Sequence, residues 1–336
     1  MSAPITSLAV YGAGSWGTAL ALQLARNGLA VGLWDIDRAH VQTLAQAREN
    51  QRYLPGIAFP DNLHCEPQLQ QLATVHRDHL IVVPSHGFRA LLQQLQPLLA
   101  VDARIWWATK GLELESGRLL HELVEEELPG LCYGLVSGPT FAGEVAKGMP
   151  TAMTAAASES GCAQLIADAF HGQHYRVYTS DDVVGVELGG AIKNVLAIAA
   201  GISDGLGFGA NARAAIITRG LAEIMRLGGR MGAQPETLMG LAGVGDLVLT
   251  CTDDQSRNRR LGLALGQGKP MAQAIDEIGQ AVEGAKSARS VGKLAQREGV
   301  EMPICQIVYR ILYEDLPPRQ AVQELISRTP KSEFQA

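Results

Sequence analysis

One lysine lies within an unusually apolar stretch of the 336-residue chain. Lys193 follows the small and apolar residues 189–192 and precedes the apolar run 195–200. This composition predicts a helix that is apolar on every face and therefore buried. Burial disfavours a charged ammonium, so we expect a lowered pKa that suits proton transfer. The alternative is a lysine whose long stem reaches past its neighbours to water, and the stretch alone favours neither.

Two further clusters in the same half of the chain have polar groups suited to an anionic substrate. Asp246 follows the sequence GVG and precedes an apolar run, where it is either a helix cap or a functional carboxylate. Ser256 is predicted to cap a helix whose N-terminus offers N–H groups to an anion. Arg257 and Asn258 add hydrogen bonds that suit phosphate. Because the net charge is −6, we favour a phosphate site here over a solvated basic turn.

A glycine-rich turn near the N-terminus stands in the order that a dinucleotide fold requires. A strand at residues 5–11 leads into GAGSWG, a helix at 18–27 and a second strand at 30–34. Gly12 would allow the tight turn, Gly14 the approach of a pyrophosphate, and Gly17 close packing of helix on strand. The helix N-terminus would then bind the phosphates.

Asp35 follows the second strand, about 20 residues after the glycines, as this fold expects. Its carboxylate would bond the hydroxyls of the adenosine ribose and repel a 2′-phosphate, which favours NAD. The alternative is a helix N-cap or a surface turn residue. Arg38 nearby leaves the use of NADP open.

Other candidate ligands follow predicted parallel strands. The continuous apolar runs 79–83 and 104–108 predict buried strands, and Lys110 follows the second of them. Ligands of open α/β sheets bind at the carboxyl ends of strands. A further strand at 131–136 ends in SGPTFAGE, where Gly138 and Thr140 offer N–H and hydroxyl groups to an anion or cofactor. A solvated lysine and a structural turn are the alternatives.

The composition is that of a soluble globular protein, with 47% hydrophobic and 18% charged residues. The acidic net charge argues against general nucleic-acid binding. Five scattered cysteines without a CxxC pair predict reduced thiols, with neither a disulfide framework nor a zinc site, and no metal-binding motif is found. There is no signal-peptide pattern, and we find no apolar run near the roughly 20 residues that span a membrane. We therefore expect a cytoplasmic protein.

The pattern of the chain changes near residue 185, where strand-like runs give way to helical ones. We predict an α/β N-terminal Rossmann-type dinucleotide-binding domain at residues 1–186 and an all-α C-terminal substrate-binding and catalytic domain at 187–336. Glycines before Lys193 are interpreted as room for the cofactor domain to pack closely. Gly205, Gly207 and Gly209 form either a mobile loop or rigid packing turns.

Along nearly its whole length the chain resembles the bacterial NAD(P)-dependent glycerol-3-phosphate dehydrogenases. The matching motifs are GAGSWG, WATKGLE, SGPTFAGEVAKGMPT, ELGGAIKNV, DGLGFGANARAAIITRG, GLAGVGDLVLTCT, SRNRR and VEG. The resemblance implies a reversible reduction of dihydroxyacetone phosphate to glycerol 3-phosphate by NAD(P)H, supplying glycerophospholipid synthesis. It also implies a homodimer.

The resemblance implies roles for individual residues as well. Lys193 would be the general acid/base at the C2 oxygen, Lys110 would orient that oxygen, and Asp246 would hold substrate and Lys193 in register. The substrate would be bound by Lys110, Gly138, Thr140, Lys193, Asp246, Ser256, Arg257 and Asn258. The cofactor would be lined by Gly12, Gly14, Ser15, Trp16, Gly17, Asp35, Lys110, Ala142, Arg257, Ala281 and Glu283. Ala281 stands where the family often has valine, and the family varies at the adenosine-ribose end.

Two other functions remain open at this point. A β-hydroxyacid dehydrogenase would have the same two-domain plan and a lysine base, but a carboxylate substrate. A dinucleotide-binding redox sensor would keep the fold without the chemistry, although a sensor would not need Lys193, Lys110, Asp246 and the phosphate cluster together.

Overall fold

The computed structural model describes residues 3–329, apart from the side chain of Ser160. The chain divides into two compact units. The first comprises the residues up to Lys110 together with Leu119–Val186, and the second comprises Gly111–Arg118 and the residues from Glu187 onward. The division after Val186 falls where the sequence pattern changes.

The segment 111–118, which the prediction placed in the first domain, packs within the second unit. Lys293 Nζ donates to the carbonyl oxygens of Leu114 and Glu115 at 3.2 and 2.6 Å. Gly117 has a φ of +70°, and a Cβ there would lie 3.0 Å from the carbonyl oxygen of Ser290. These contacts join residues that are far apart in the chain, so no local sequence pattern predicts them.

The first unit is built on one eight-stranded sheet. Its strands are β1 Ser7–Tyr11, β2 Ala30–Trp34, β3 Leu63–Cys65, β4 Asp78–Ile81, β5 Arg104–Trp107, β6 Cys132–Ser137, β7 Thr151–Ala157 and β8 Tyr175–Ser180. Its helices are α1 Ser15–Arg26, α2 Arg38–Ala47, α3 Leu69–Val75, α4 Ser85–Leu95, α5 Leu120–Glu127, α6 Ala142–Ala146 and α7 Ser160–Phe170. A 3₁₀ turn, Gln96–Leu98, follows α4.

The strand order is β3-β2-β1-β4-β5-β6-β7-β8. Neighbouring strands are parallel except for β6 and β7, which are antiparallel. The order reverses at β1, so the carboxyl ends of β1 and β4 form the edge where such sheets bind ligands. This arrangement confirms the predicted Rossmann-type fold of the first unit.

Strand β5 shows why the apolar runs form buried strands. Trp106 and Trp107 are both fully buried although successive side chains point to opposite faces of a sheet. Trp107 packs against Phe88, and Trp106 Nε1 donates to Asp78 Oδ1 at 3.0 Å. A strand covered on both faces needs a continuous hydrophobic sequence rather than an alternating one.

The prediction that all thiols are reduced is wrong for one pair. Cys132, at the start of β6, and Cys162, in the first turn of α7, form a disulfide with their Cα atoms 6.7 Å apart. The two are separated by 30 residues, and that spacing matches no cysteine motif. Packing of α7 on the sheet brings them together, and this packing is a tertiary property. Cys65, Cys251 and Cys305 are free thiols.

The second unit is helical. Its helices are α8 Val183–Gly205, α9 Gly209–Arg230, α10 Pro235–Leu238, α11 Asp246–Thr252, α12 Arg257–Gly266, α13 Met271–Ile278, α14 Glu283–Glu298, α15 Pro303–Tyr313 and α16 Pro318–Ile326, with a π-helical turn at Leu241–Gly245 before α11. The predicted all-α character is therefore confirmed. Helix α8 begins a few residues before the division between the units.

Helix α8 corrects the statement that no apolar run approaches membrane-spanning length. Among residues 3–329, Val183–Gly205 is long and apolar enough to cross a membrane by length and composition. However, 83% of an 18-residue apolar stretch of this helix is buried inside the protein. The core helix of a globular domain has the same composition, and α8 is such a helix.

Glycines along α8 allow neighbouring backbones to approach. A Cβ at Gly189 would lie 2.3 Å from the carbonyl oxygen of Ala242. The expectation that this glycine accommodates the cofactor domain is therefore wrong, because its neighbour is the π-helical turn of its own unit. Near the other end of α8, a Cβ at Gly205 would lie 2.3 Å from the carbonyl oxygen of Leu263 in α12. Gly205 is thus a packing residue, whereas Gly207 and Gly209 have positive φ angles and open space around them.

Candidate active-site residues

In the glycine turn after β1, neighbouring backbone atoms leave no room for a side chain at two of the glycines, but there is open space at the third. Gly12 has a φ of +113°, and a Cβ there would lie 2.7 Å from the carbonyl oxygen of Val82. A Cβ at Gly17 would lie 1.8 Å from the carbonyl oxygen of Gly12. A Cβ at Gly14 would meet no atom within 4 Å. The open space at Gly14 would let a ligand approach the backbone closely.

Helix α1 begins directly after this turn, at Ser15. Its N-cap residue, Gly14, provides no side-chain hydrogen bond, and the first turn contains no acidic residue. The N–H groups of Ser15 and Trp16, together with the positive end of the helix dipole, therefore suit an anion. Together with the space at Gly14, this donor set fits the pyrophosphate of a dinucleotide.

Asp35 is held rigidly at the end of β2. Its Oδ2 accepts a hydrogen bond from the backbone N–H of Ala13 at 2.7 Å, and its Oδ1 accepts one from that of Asp37 at 3.1 Å. The N-cap of α2 is Asp37, whose side chain accepts from the N–H of His40. The capping alternative considered for Asp35 therefore applies to Asp37 instead.

The predicted residues around Lys110 lie together at the carboxyl ends of β5 and β6. Lys110 Nζ donates to the carbonyl oxygen of Gly138 at 3.1 Å, and Thr140 Oγ1 donates to the same oxygen at 3.1 Å. Lys110 Nζ also lies 6.0 Å from the centre of the Trp16 ring. Gly138 has a φ of +154°, and a Cβ there would lie 2.8 Å from Met153 Cα. These contacts form a half-buried polar cluster next to the glycine turn.

The remaining candidates of the cofactor set stand at helix starts. Ala142 is the first residue of α6 and packs against the core of the first unit. In the second unit, Ala281 is exposed and precedes α14, and Glu283 is the first residue of that helix.

Lys193 lies in the buried core of the second unit with a carboxylate and a hydroxyl. Its side chain is 7% exposed, and Nζ lies 2.5 Å from Asp246 Oδ1 and 2.8 Å from Thr250 Oγ1. Asp246 is fully buried. Lys193 therefore does not reach to water, and the alternative of a solvated lysine is excluded.

Asp246 is oriented by the start of α11. It is the first residue of that helix, its side chain bonds Lys193, and the N-cap residue is Gly245. A π-helical turn precedes it, and such turns are frequent at functional sites. Burial disfavours the charged ammonium of Lys193, whereas the adjacent carboxylate of Asp246 favours it.

Thr250 is a member of this group that the sequence reasoning missed. Its Oγ1 donates to the carbonyl oxygen of Asp246 at 2.6 Å and accepts from Lys193 Nζ. The signal available in the sequence was the i, i+4 spacing of Asp246 and Thr250, which places both on one helix face. That spacing is common, so by itself it would not have identified the residue.

Helix α12 begins as predicted. Ser256 is its N-cap, and its Oγ accepts from the N–H of Arg259 at 3.2 Å. Arg257 is half-buried, and one of its terminal nitrogens donates to Gln280 Oε1 at 3.3 Å. Burial lowers the pKa of Arg257, and the Glu283 carboxylate acts in the opposite direction. A cation at a capped helix start is a suitable arrangement for a phosphate.

Asn258 is engaged by the protein on both sides of its amide. Its Nδ2 donates to Asn194 Oδ1 at 2.9 Å, and its Oδ1 accepts from the N–H of Gly284 at 2.8 Å. Asn258 therefore ties together α8, α12 and the start of α14. Asn194, which the sequence reasoning also missed, directly follows Lys193 in the chain.

No metal centre is found in the part of the chain that the structure describes, since no three His, Cys, Asp or Glu side chains are grouped closely enough to hold an ion. A Rossmann-type unit whose glycine turn fits a pyrophosphate, followed by a helical unit with a buried Lys–Asp pair, is the arrangement of the NAD(P)-dependent dehydrogenases.

Comparisons with known proteins identify the family within this class. Residues 7–163 match a family model described as NAD-dependent glycerol-3-phosphate dehydrogenase N-terminus, and residues 182–323 match the corresponding C-terminus. The chain belongs to the NAD-dependent glycerol-3-phosphate dehydrogenase family. The predicted family and enzyme class are thereby confirmed.

Relatives of high identity are named glycerol-3-phosphate dehydrogenase [NAD(P)+]. The chain is 54% identical over 335 residues to glycerol-3-phosphate dehydrogenase [NAD(P)+] of Pseudoalteromonas translucida, covering 99% of this chain and 100% of the relative. It is 57% identical over 330 residues to that of Thioalkalivibrio sulfidiphilus, covering 97% and 98%. The crystal structure of glycerol-3-phosphate dehydrogenase from Coxiella burnetii matches with a TM-score of 0.94 and 51% identity, over 96% of this chain and 99% of that one.

Proposed function

We propose that this protein reduces dihydroxyacetone phosphate reversibly to sn-glycerol 3-phosphate. The observation that carries the proposal is the buried contact of Lys193 with Asp246, in a chain whose relatives are glycerol-3-phosphate dehydrogenases. Bound NAD(P)H would supply the hydride for C2. Lys193 would donate the proton to the C2 oxygen, and in the reverse direction it would accept that proton from the hydroxyl.

Asp246 and Thr250 would act through Lys193. A buried ammonium without a counter-charge would lose its proton too readily, and a lysine without fixed partners would adopt several rotamers. The carboxylate favours the charged form, and the Thr250 hydroxyl limits where Nζ can lie. In the first unit, Lys110 would orient the same substrate oxygen and contact the cofactor, and Gly138 and Thr140 would complete the polar surface around it.

The substrate phosphate would be bound at the start of α12. Ser256 is the N-cap of this helix and Arg257 its first residue, so the helix start would offer N–H groups and a cation to the same anion. Arg257 would provide the positive charge. Burial lowers its pKa, and the nearby Glu283 carboxylate acts against that decrease. Asn258 would position this helix start through Asn194 and Gly284, and it would bind the phosphate with its remaining amide hydrogen.

The coenzyme would be held by the glycine turn, with Ser15, Trp16, Asp35, Ala142, Ala281 and Glu283 along its length. The space at Gly14 and the uncapped start of α1 support this part of the proposal. The position of Asp35 at the end of β2 favours NAD, and use of both coenzymes is compatible with the descriptions of the relatives.

In the cell, we propose that the enzyme is cytoplasmic and that its product enters glycerophospholipid synthesis. We also propose a homodimer, formed through an apolar groove of the second unit. The groove has a volume of about 1460 Å³ and is lined by α8, α9, α15 and α16, with the exposed side chains of Phe208 and Ile326 among its residues. Ile326→Glu should produce a monomer in light scattering, whereas Val101→Glu, on an exposed valine of the first unit, should not.

The activity is tested by coenzyme oxidation with purified protein. NADH or NADPH should be oxidised when dihydroxyacetone phosphate is added, and glycerol 3-phosphate should reduce NAD or NADP. Parallel assays with 3-hydroxyisobutyrate and 6-phosphogluconate should show no turnover. Activity with either of these, and none with glycerol 3-phosphate, would overturn the proposal.

A further inference from the structure

We propose that Arg52 determines how well the coenzyme site accepts a 2′-phosphate, and hence how well NADP(H) competes with NAD(H). The inference rests on the proposed dinucleotide site, and it concerns the adenosine-ribose end of that site. It is drawn from the surroundings of Asp35, where the charges are more balanced than the sequence suggests.

Two carboxylates follow β2, and both are fixed. Asp35 accepts the N–H groups of Ala13 and Asp37, and Asp37 accepts that of His40. A 2′-phosphate close to these two negative charges would be repelled. Without a cation nearby, this end of the site would accept NAD and reject NADP.

Arg52 supplies that cation. One of its terminal nitrogens lies 3.7 Å from Asp37 Oδ2, and its guanidinium carbon lies 4.9 Å from the centre of the Tyr53 ring. Asp37 is in turn hydrogen-bonded to Asp35. The positive charge is therefore next to the carboxylate pair and can offset its repulsion.

The segment that carries Arg52 is anchored to the glycine turn. Asn50 is fully buried, its Nδ2 donates to the carbonyl oxygen of Ala13 at 2.9 Å, and its Oδ1 accepts from the N–H of Tyr53 at 3.1 Å. Tyr53 also packs edge-on against His40, whose Nε2 lies 3.3 Å from the same Ala13 oxygen. Ala13 thus connects, through its N–H and its carbonyl, the residue that disfavours a 2′-phosphate and the segment that would bind one.

The guanidinium of Arg52 is free to serve a ligand. Its side chain is 62% exposed, and within residues 3–329 it makes the long ion pair and the ring contact but no hydrogen bond. A planar fork of N–H donors held on an aromatic ring suits a phosphate dianion. Arg38, the first residue of α2, is also exposed but has neither contact, so Arg38→Gln tests the alternative that Arg38 is the cation that binds a 2′-phosphate.

Steady-state kinetics of Arg52→Gln test the proposal in the whole protein. We expect kcat/KM for NADPH to fall by about tenfold or more, the scale of one charged hydrogen bond, with little change for NADH. Arg38→Gln should leave the ratio of the two values close to that of the unchanged protein. Equal changes for both coenzymes, or none, would overturn the role of Arg52.

A binding measurement that needs no substrate separates this inference from the proposed reaction. In calorimetry, Arg52→Gln should bind adenosine 2′,5′-bisphosphate about tenfold more weakly, while 5′-AMP should bind as before. Equal affinities of the unchanged protein and the Arg52→Gln variant for the bisphosphate would contradict the inference. If the fragment result holds but dihydroxyacetone phosphate is not turned over, the proposed reaction fails and the coenzyme inference stands.

Discussion

Lys193 Nζ and Asp246 Oδ1 are 2.5 Å apart, with the two side chains 7% and 0% exposed. Taking two charges out of water is costly, and removal of either partner leaves the other charge buried and uncompensated. A buried pair of this kind is therefore weak evidence for stability and better evidence for chemistry. Its consequences can be separated experimentally, because the proposed catalysis needs the lysine itself, whereas folding needs only the balance of charge.

Replacement of Lys193 by methionine should abolish most turnover. We expect kcat to fall by at least about a hundredfold, as when a general acid/base is lost, while coenzyme affinity is nearly retained. Asp246 would lose its counter-charge, so the free energy of unfolding should also fall, by about 3–5 kcal/mol. The double variant Lys193→Met/Asp246→Asn should recover much of that stability in urea titrations but none of the activity. Unchanged turnover in Lys193→Met would remove the lysine from the mechanism.

Replacement of Thr250 by valine should reduce kcat more than it raises KM for dihydroxyacetone phosphate. Valine has nearly the same shape but cannot accept the Lys193 N–H or donate to the Asp246 carbonyl. Loss of such a hydrogen bond is worth about 0.5–1.5 kcal/mol, or severalfold in rate. Thr250→Ser keeps the hydroxyl and should stay close to the original kcat. Equal losses in the two variants would indicate a packing role only.

Replacement of Arg257 by glutamine should raise KM for dihydroxyacetone phosphate about ten- to a hundredfold, since a charged hydrogen bond contributes about 1.5–3 kcal/mol. Arg260→Gln is the matched control, because Arg260 is an exposed cation on the same helix. Initial rates at varied substrate and saturating coenzyme measure both. A normal KM in Arg257→Gln would place the phosphate elsewhere.

Stability of the first unit should decline below pH 6.5 because of His79. This side chain is fully buried on β4, within 2.8 Å of the Tyr11 hydroxyl, and burial together with nearby His76 lowers its pKa from 6.5 to about 3. The unfolded chain therefore binds a proton that the folded chain excludes. The stabilisation is complete above pH 6.5 and is lost toward pH 3, by at most about 1.4 kcal/mol per pH unit.

The variant His79→Gln keeps an acceptor for the Tyr11 hydroxyl but cannot titrate. Urea unfolding at pH 7 and pH 4.5 should show a smaller loss of stability for the variant than for the original protein. Parallel pH dependences in the two proteins would mean that His79 does not contribute.

The sequence by itself determined the local features of this protein. Apolar runs predicted β5 and α8, the glycine spacing predicted the turn before α1, and Ser256 was recognised as the cap of α12. Each of these depends on residues within a few positions of one another, where backbone geometry and side-chain periodicity act directly.

Only the tertiary structure decided which distant groups meet. Lys193 and Asp246 are 53 residues apart, and Cys132 and Cys162 are 30 apart. The family resemblance implied that Asp246 holds Lys193 in register, but only the structure showed their buried contact at 2.5 Å and the part played by Thr250. Such contacts depend on how whole helices and strands pack, and packing is set by the shapes of many side chains at once rather than by any local pattern.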